Sequence, residues 1–308
     1  MVSPDGELKC PRCEKPIEWQ PASTENGAST AEKCCYRCAD CGWAFSNPKK
    51  ETSGSKIRRV AIAPTPELNV PPEARDGLTA ALEGAINIHN RLNKRDKFCS
   101  ENSEDAVTWT VFQGLRHASP LSGVLEGEGE PSLILWGVPI CGPLANSAAD
   151  RLIAISDKLG ENSKSRTEPD VIVAWSNVIA FIEVKYRSPN DIKPNYKHFD
   201  KYLRGREDLF RSSPAEIKKS GFYELVRNWR IGAELAEQSG RRFELINLGP
   251  DGLKKSSDNF GSQVAQSETG DDSAGRKYTF MSWSNLLAGA ELPPWLRDYA
   301  RAKKLLPE

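Results

Sequence analysis

The chain carries no net charge: Lys and Arg total 42, and so do Asp and Glu. The overall balance therefore neither announces a nucleic-acid binder nor excludes one, and any electrostatic recognition has to be local. There is no run of about 18 apolar residues, and the first residues, MVSPDGELKC, lack the basic-then-apolar order of a secretion signal. A soluble, cytoplasmic protein with no membrane partner is expected. Histidine is scarce, with only His89, His117 and His198, none spaced as a metal-ligand pair. No glycine-rich phosphate loop occurs, so nucleotide-triphosphate hydrolysis would need a partner.

Cysteine is present but unevenly spread. Six of the eight fall between positions 10 and 41, with Cys-x-x-Cys spacing at Cys10/Cys13 and Cys38/Cys41. In a chain without a secretion signal this spacing argues for a metal rather than disulfides, and four thiolates in two knuckles match a closed tetrahedral Zn²⁺ site. Cys35 and Cys38 share the same spacing and compete for the second knuckle; Gly42 and the aromatics beside Cys41 favour Cys38/Cys41. That second knuckle, YRCADCGWAF, is similar to that of a zinc ribbon. Cys99 and Cys141 stand alone and read as small buried apolar residues.

At 308 residues there is room for one good core and a small appendage. Residues 1–47 read as the metal-held module, 48–72 as a linker in which 57–62 (IRRVAI) can form an adaptor strand, and 73–308 as the main domain. Apolar spacing predicts helices over 73–97, 103–117, 147–159, 196–210 and 215–238. Compact β-branched runs predict strands over 133–138, 170–175, 178–186 and 242–248, with Gly240 stopping the helix before the last. Residues 251–276 read as a mobile polar insertion, followed by a strand near 277–281 and helices over 283–288 and 294–305. This order gives a mixed α/β (α+β) domain with a central sheet flanked by helices.

Acidic-x-Lys patterns occur at Glu7/Lys9, Glu183/Lys185, Asp191/Lys193 and Glu216/Lys218, and Pro-Asp at Pro4-Asp5, Pro169-Asp170 and Pro250-Asp251. Only one pairing lies on strands. Asp170 opens one apolar run and Glu183-Val184-Lys185 ends the next, with a turn at Asn177 short enough for a hairpin. Residues i and i+2 share a strand face, so Glu183 and Lys185 point the same way and the antiparallel return brings Asp170 alongside. Two carboxylates suit a hard cation, Mg²⁺ or Mn²⁺, and a neighbouring ammonium neutralises charge developing on a phosphoryl group. A surface ion pair is the bland alternative; the apolar setting, IAFIEV, weighs against it.

EPD170, twelve intervening residues and the strand-borne EVK ending at Lys185 resemble the PD-(D/E)XK nuclease superfamily, whose fold is restriction-endonuclease-like. The resemblance spans roughly 98–290 by element order. It implies a metal-dependent endonuclease acting on nucleic acid, most readily DNA, as a restriction or anti-phage defence effector. It also implies Asp170, Glu183 and the Val184 backbone carbonyl as Mg²⁺ ligands and Lys185 as a catalytic cation. A catalytic Glu from the leading helix matches Glu104, with Asp105 the alternative if the helix phase differs; Tyr223 is the nearest counterpart of a residue supplied by a later helix. A homodimer or a partner subunit of a defence system is compatible with it. The competing reading is a catalytically silent nucleic-acid-binding or adaptor subunit. The basic residues Lys49, Lys50, Lys56, Arg58 and Arg59, and ten Lys/Arg against five Asp/Glu between Lys193 and Arg230, offer local phosphate-tracking surfaces.

Overall fold

The computed structural model describes residues 8–17, 30–46, 59–118, 121, 125–267 and 275–307. Near the N-terminus, strands β1 (Tyr36–Arg37), β2 (Ala44–Phe45) and β3 (Ala61–Ile62) form a three-stranded antiparallel sheet. The adaptor strand expected within 57–62 is thus β3, which closes the cysteine module's sheet. It also fastens that module to the rest of the chain: Ala63 N–H donates to Cys99 at 2.8 Å and Glu101 N–H to Ala61 at 2.9 Å.

The helical signal over 73–97 resolves into α1 (Leu78–Gly84) and α2 (Arg91–Phe98), separated by a 3-10 turn at Ile88–Asn90. Helix α3 (Glu104–Ala118) follows as expected. Next come β4 (Ser132–Leu135), β5 (Val138–Cys141), α4 (Ala145–Lys158), β6 (Val171–Ala174) and β7 (Val178–Val184). The single strand read over 133–138 is a hairpin. Trp136 and Gly137 both have positive φ, 53° and 78°, the backbone of a tight two-residue turn that glycine enters without strain.

Helix content after β7 is lower than the expected 196–210. Only α5 (Asp200–Leu203) and a 3-10 turn at Glu207–Leu209 form there, since Pro189 and Pro194 precede and Gly205 interrupts. The expected 215–238 helix is two, α6 (Pro214–Ser220) and α7 (Tyr223–Gln238), broken at Gly221 with φ of +76°. Strand β8 (Arg242–Gly249) leads to α8 (Lys254–Gln263), so much of the 251–276 segment is an ordered helix held by Leu253, Phe260 and Val264; residues 268–274 lie outside the described residues. Strand β9 (Arg276–Ser282), α9 (Trp283–Ala288) and α10 (Pro294–Ala302) complete the chain.

The main sheet has the order β5-β4-β6-β7-β8-β9, antiparallel up to β7 and parallel from β7 through β9. β7 is central and buried along its whole length. Its alternation splits the core: Val178, Ala180, Ile182 and Val184 pack toward the face covered by α1, α3, α9 and α10, while Ile179 and Phe181 pack toward α4 and α7. Glu183 and Lys185 continue the second row. No helix among the described residues is long and apolar enough to cross a membrane.

Candidate active site

The hairpin expected from the sequence forms: β6 and β7 pair antiparallel, with Val171 opposite Ile182. This register brings Asp170 to the end of β7, where its Oδ2 accepts the Val184 backbone N–H at 2.8 Å. Glu183 and Lys185 are only 4% and 7% exposed. Lys185 Nζ donates to Glu183 Oε1 at 2.7 Å and to Glu224 Oε2 at 3.1 Å, and Asn228 Nδ2 donates to Glu183 Oε2 at 2.7 Å. Asn247 of β8, fully buried, stands beside Glu183 in the parallel register.

Glu104 comes from the first turn of α3 and accepts the Tyr186 backbone N–H at 2.8 Å and the Ser188 hydroxyl at 2.9 Å, tying the chain that leaves β7 to the helix. Asp105, one residue on, turns away to a different partner. Buried Lys94 donates to Asp105 at 2.9 Å, lies 3.5 Å from Glu168, and sits over the Trp136 ring. The helix phase therefore turns Glu104, not Asp105, toward the end of β7. Tyr223 is not at the carboxylates; its ring packs among Tyr196, Phe199 and Tyr202. Glu224 and Asn228, i and i+4 on α7, take the place expected of it. Their signal in the sequence is two polar residues at one-turn spacing on the otherwise apolar inner face of a helix.

The electrostatics follow from burial. The Asp170 carboxyl is held well above its ordinary range by desolvation and by the charges of Glu183 and Glu104, which Lys185 only partly offsets. Burial likewise raises Glu104. Glu224 is desolvated too, but Lys185 and Arg227 bring it below the usual range. Lys185 is held above the ordinary lysine value because Glu183, Glu224 and Asp170 outweigh its burial, so it is an ammonium at every physiological pH. Asp170, Glu183 and Glu104 thus bring three mutually repelling carboxyl groups together in a desolvated place. Their oxygens do not close into a full protein cage: among the described residues only the cysteine sulfurs lie within 4.8 Å of one another as a group of three or more.

The other acidic-x-Lys copies have ordinary roles. Asp191 and Lys193 form a surface pair at 2.5 Å, and Glu216 completes a capping box with Ser213 at the start of α6. Glu7 and Pro4-Asp5 lie outside the described residues, as does the basic run from Lys49 to Arg58. Beyond the end of β7 opens a cavity of about 580 Å³ lined by Tyr186, Arg187, Trp283, Lys303 and Lys304. Trp283 Nε1 donates to the Lys185 carbonyl at 3.0 Å, which fixes the rim of that cavity to the site.

In the N-terminal module Cys10, Cys13, Cys38 and Cys41 form a group able to hold a metal ion. The sulfur separations are 3.4 Å for Cys10 to Cys41, 3.6 Å for Cys13 to Cys38 and 3.7 Å for Cys13 to Cys41. Tetrahedral ligands at a Zn–S distance of about 2.3 Å stand roughly 3.8 Å apart, so the set fits. Burial would raise Cys38, but the backbone N–H groups of Cys41 and Asp40 hold its thiolate and bring it down to about 7. Cys35 is not in the cluster, and Cys34 turns its Sγ to the Thr30 carbonyl at 3.3 Å. Of the two lone cysteines, Cys99 is buried and Cys141 half-buried. No family model, curated protein or solved structure matches this chain.

Proposed function

We propose that the chain is a metal-dependent nuclease of the PD-(D/E)XK type, hydrolysing phosphodiester bonds at the end of β7, with a structural Zn²⁺ in its N-terminal module. The observation that carries this reading is the meeting of Asp170, Glu183 and Lys185, from a strand start and a strand end, in a place too buried for surface decoration. Element order supports it as well. Helix α3, strands β4, β6 and β7, helix α7 and strand β8 follow the sequence of elements the resemblance implies, with β5 and α4 inserted after the first strand.

Asp170, Glu183 and the Val184 carbonyl would hold the ion. When bound, Mg²⁺ or Mn²⁺ supplies Lewis-acid stabilisation of the phosphoryl oxygens and a lowered pKa for the attacking water. Lys185, permanently an ammonium, neutralises negative charge that grows on the phosphoryl group. Glu224 and Asn228 keep Lys185 and Glu183 in place, and Glu104 holds the exit of β7 so that Tyr186 and Arg187 face the adjacent cavity.

The test is to incubate wild type and Lys185→Ala with plasmid DNA, single-stranded DNA and RNA, with and without Mg²⁺ or Mn²⁺. Cleavage by wild type that depends on the ion and is lost in the variant is the expected result. Equal activity in the two proteins would sink the assignment, and binding without cleavage by wild type would leave the silent-subunit reading.

A further inference from the structure

The basic segment that follows β7 leads into a second cavity, of about 550 Å³, lined by Lys158, Lys197, His198, Lys201, Arg204 and Arg230. Asp200 also lines it, but its carboxylate is engaged by Lys218 at 2.5 Å. The remaining acids nearby are engaged as well. Glu161 accepts from Tyr202 and from Thr167, standing 3.8 Å from Lys201. Glu234 pairs with Arg230 through Oε1 at 2.5 Å, while its buried Oε2 has no hydrogen bond and stands 4.0 Å from Lys158. Lys197 and Arg204 are exposed and enter no ion pair among the described residues.

Arg230 is the buried member. It is 5% exposed, its terminal nitrogens reach Glu234 and the carbonyls of Tyr202 and Arg204, and its Nε has no partner. A guanidinium fixed in this way with a donor left over, under a rim in which Lys197 and Arg204 are unpaired, suits an anion. The volume lies in the range of ligand sites and exceeds what one small inorganic ion fills.

The cavity is also joined to the candidate active site through contacts. Glu224, which holds Lys185, follows Tyr223; the Tyr223 ring meets Tyr196 with centroids 4.7 Å apart, and Tyr196 meets His198 at 5.1 Å. Tyr196 is 36% exposed, with Lys193 Nζ over its ring at 5.9 Å, and is the exposed aromatic member of this run of contacts. Cations interleaved with a partly exposed ring are the kind of arrangement that tracks a phosphate backbone and stacks a base.

We propose that this cavity is a phosphate-binding site that takes the backbone of a nucleic-acid strand at a distance from the reacting bond, with Tyr196 stacking a base between the two. The anion site stands on the cavity itself; its assignment to a nucleic-acid strand rests on the nuclease reading. A free phosphorylated molecule offers the same chemistry, and the experiment separates the two sources.

Wild type, Lys197→Gln/Arg204→Gln and the charge-matched control Lys255→Gln/Arg301→Gln are compared as full chains without added divalent cation, so that no cleavage intervenes. All four replaced side chains are exposed, and circular dichroism melting checks that the fold is kept. Affinity for a short fluorescein-labelled single strand is read by anisotropy over a salt series, and binding of inorganic pyrophosphate by calorimetry. The pocket variant is expected to bind the strand roughly tenfold more weakly, with a salt slope smaller by about 1.4, the value for two lost phosphate contacts at about 0.7 each. The control is expected to match wild type. Loss of pyrophosphate binding alone would keep the anion site and overturn the strand assignment. A pocket variant indistinguishable from wild type or from the control in both assays would overturn the proposal. Strand binding by a wild type that never cleaves would sink the nuclease reading and leave this site standing.

Discussion

Replacing Lys185 by methionine keeps the length of the side chain and removes its charge. In the folded protein the ammonium lies between Glu183 at 2.7 Å and Glu224 at 3.1 Å, and it offsets the charge of Asp170 as well. Without it, Glu183 is left desolvated beside two other acids. Breaking a buried ion pair by removing one partner costs about 3–5 kcal/mol. For a domain of this size, at about 2 °C per kcal/mol, that corresponds to a fall in melting temperature of roughly 6–10 °C. The pH dependence has a definite sign. Lys185 has its pKa raised on folding, so its contribution is fully present below the ordinary lysine value and does not change between pH 5 and 8. The change must come from the carboxylates, which in the variant can relieve themselves only by taking up protons. The gap between wild type and variant should therefore narrow as pH falls. Adding Glu183→Gln to the variant removes the stranded charge while keeping an oxygen for Asn228, and should recover a large part of the lost stability. Calorimetric melting of the three proteins at pH 5 and pH 8 measures all of this. A Lys185→Met protein as stable as wild type at both pH values would refute the reasoning.

Cation affinity at the carboxylates should strengthen from pH 5 to pH 8, because burial raises Asp170 and Glu104 and the ion must displace their protons; titration calorimetry in two buffers of different ionisation heat reads the release directly. By the same linkage the ion-free protein should lose stability as pH rises above the ordinary carboxyl range toward the raised values, since the folded state then holds more protons than the unfolded one. Wild type should carry one Zn²⁺ per chain by elemental analysis, and Cys38→Ser should lose it and expose the β1–β3 module to protease first, since strands of two residues cannot hold that sheet unaided. Lys94→Met should lower stability by about 3–5 kcal/mol in denaturant titration, because it strands Asp105 and Glu168, and should reduce kcat more than KM because Glu168 lies two residues before Asp170.

The parts of this fold that could be read from the chain are those whose signal is local. The β6–β7 hairpin declares itself through two β-branched runs and a short turn, and with it the convergence of Asp170 on Glu183 and Lys185. The β4–β5 hairpin does not, because its turn is Trp136-Gly137, a pair without the usual Asn or Asp, and the apolar run continues through it. Helix α8 was masked by the Ser, Asp and Gly around it, although Leu253, Phe260 and Val264 fall at helical spacing and are buried. The helix expected over 196–210 is mostly absent for the opposite reason. Its apolar residues, Phe199, Tyr202, Leu203, Leu209 and Phe210, are buried as a helix would bury them, but the chain reaches the core through short turns. Glu224 and Asn228 show as a polar pair at one-turn spacing, but nothing in the sequence says that their helix packs over β7; that is decided by the parallel β7–β8 crossover, in which α7 is part of the connection.

Placing charged groups on the central strand also constrains the sheet itself. Along β7 the row Ile179, Phe181, Glu183 and Lys185 faces α7, while Val178, Ala180, Ile182 and Val184 face the other layer. A slip of one residue against β6 or β8 would turn Glu183 and Lys185 into the layer that holds Trp109, Trp136, Leu133 and Leu248, where the side chains are apolar. Leaving those charges without their partners there would cost several kcal/mol, more than the modest differences between strand pairings in an all-apolar strand. An apolar β7 of Val, Ile, Ala and Phe throughout would have no such preference between its two faces. Glu183 opposite Asn247, Lys185 under Glu224 and Asp170 on the Val184 N–H therefore act together, each admitting only the register in which the others are met. The groups assigned to chemistry are in this way the ones that make the hairpin and the parallel crossover unique, which is why the best-specified part of the sheet is the part that carries the candidate site.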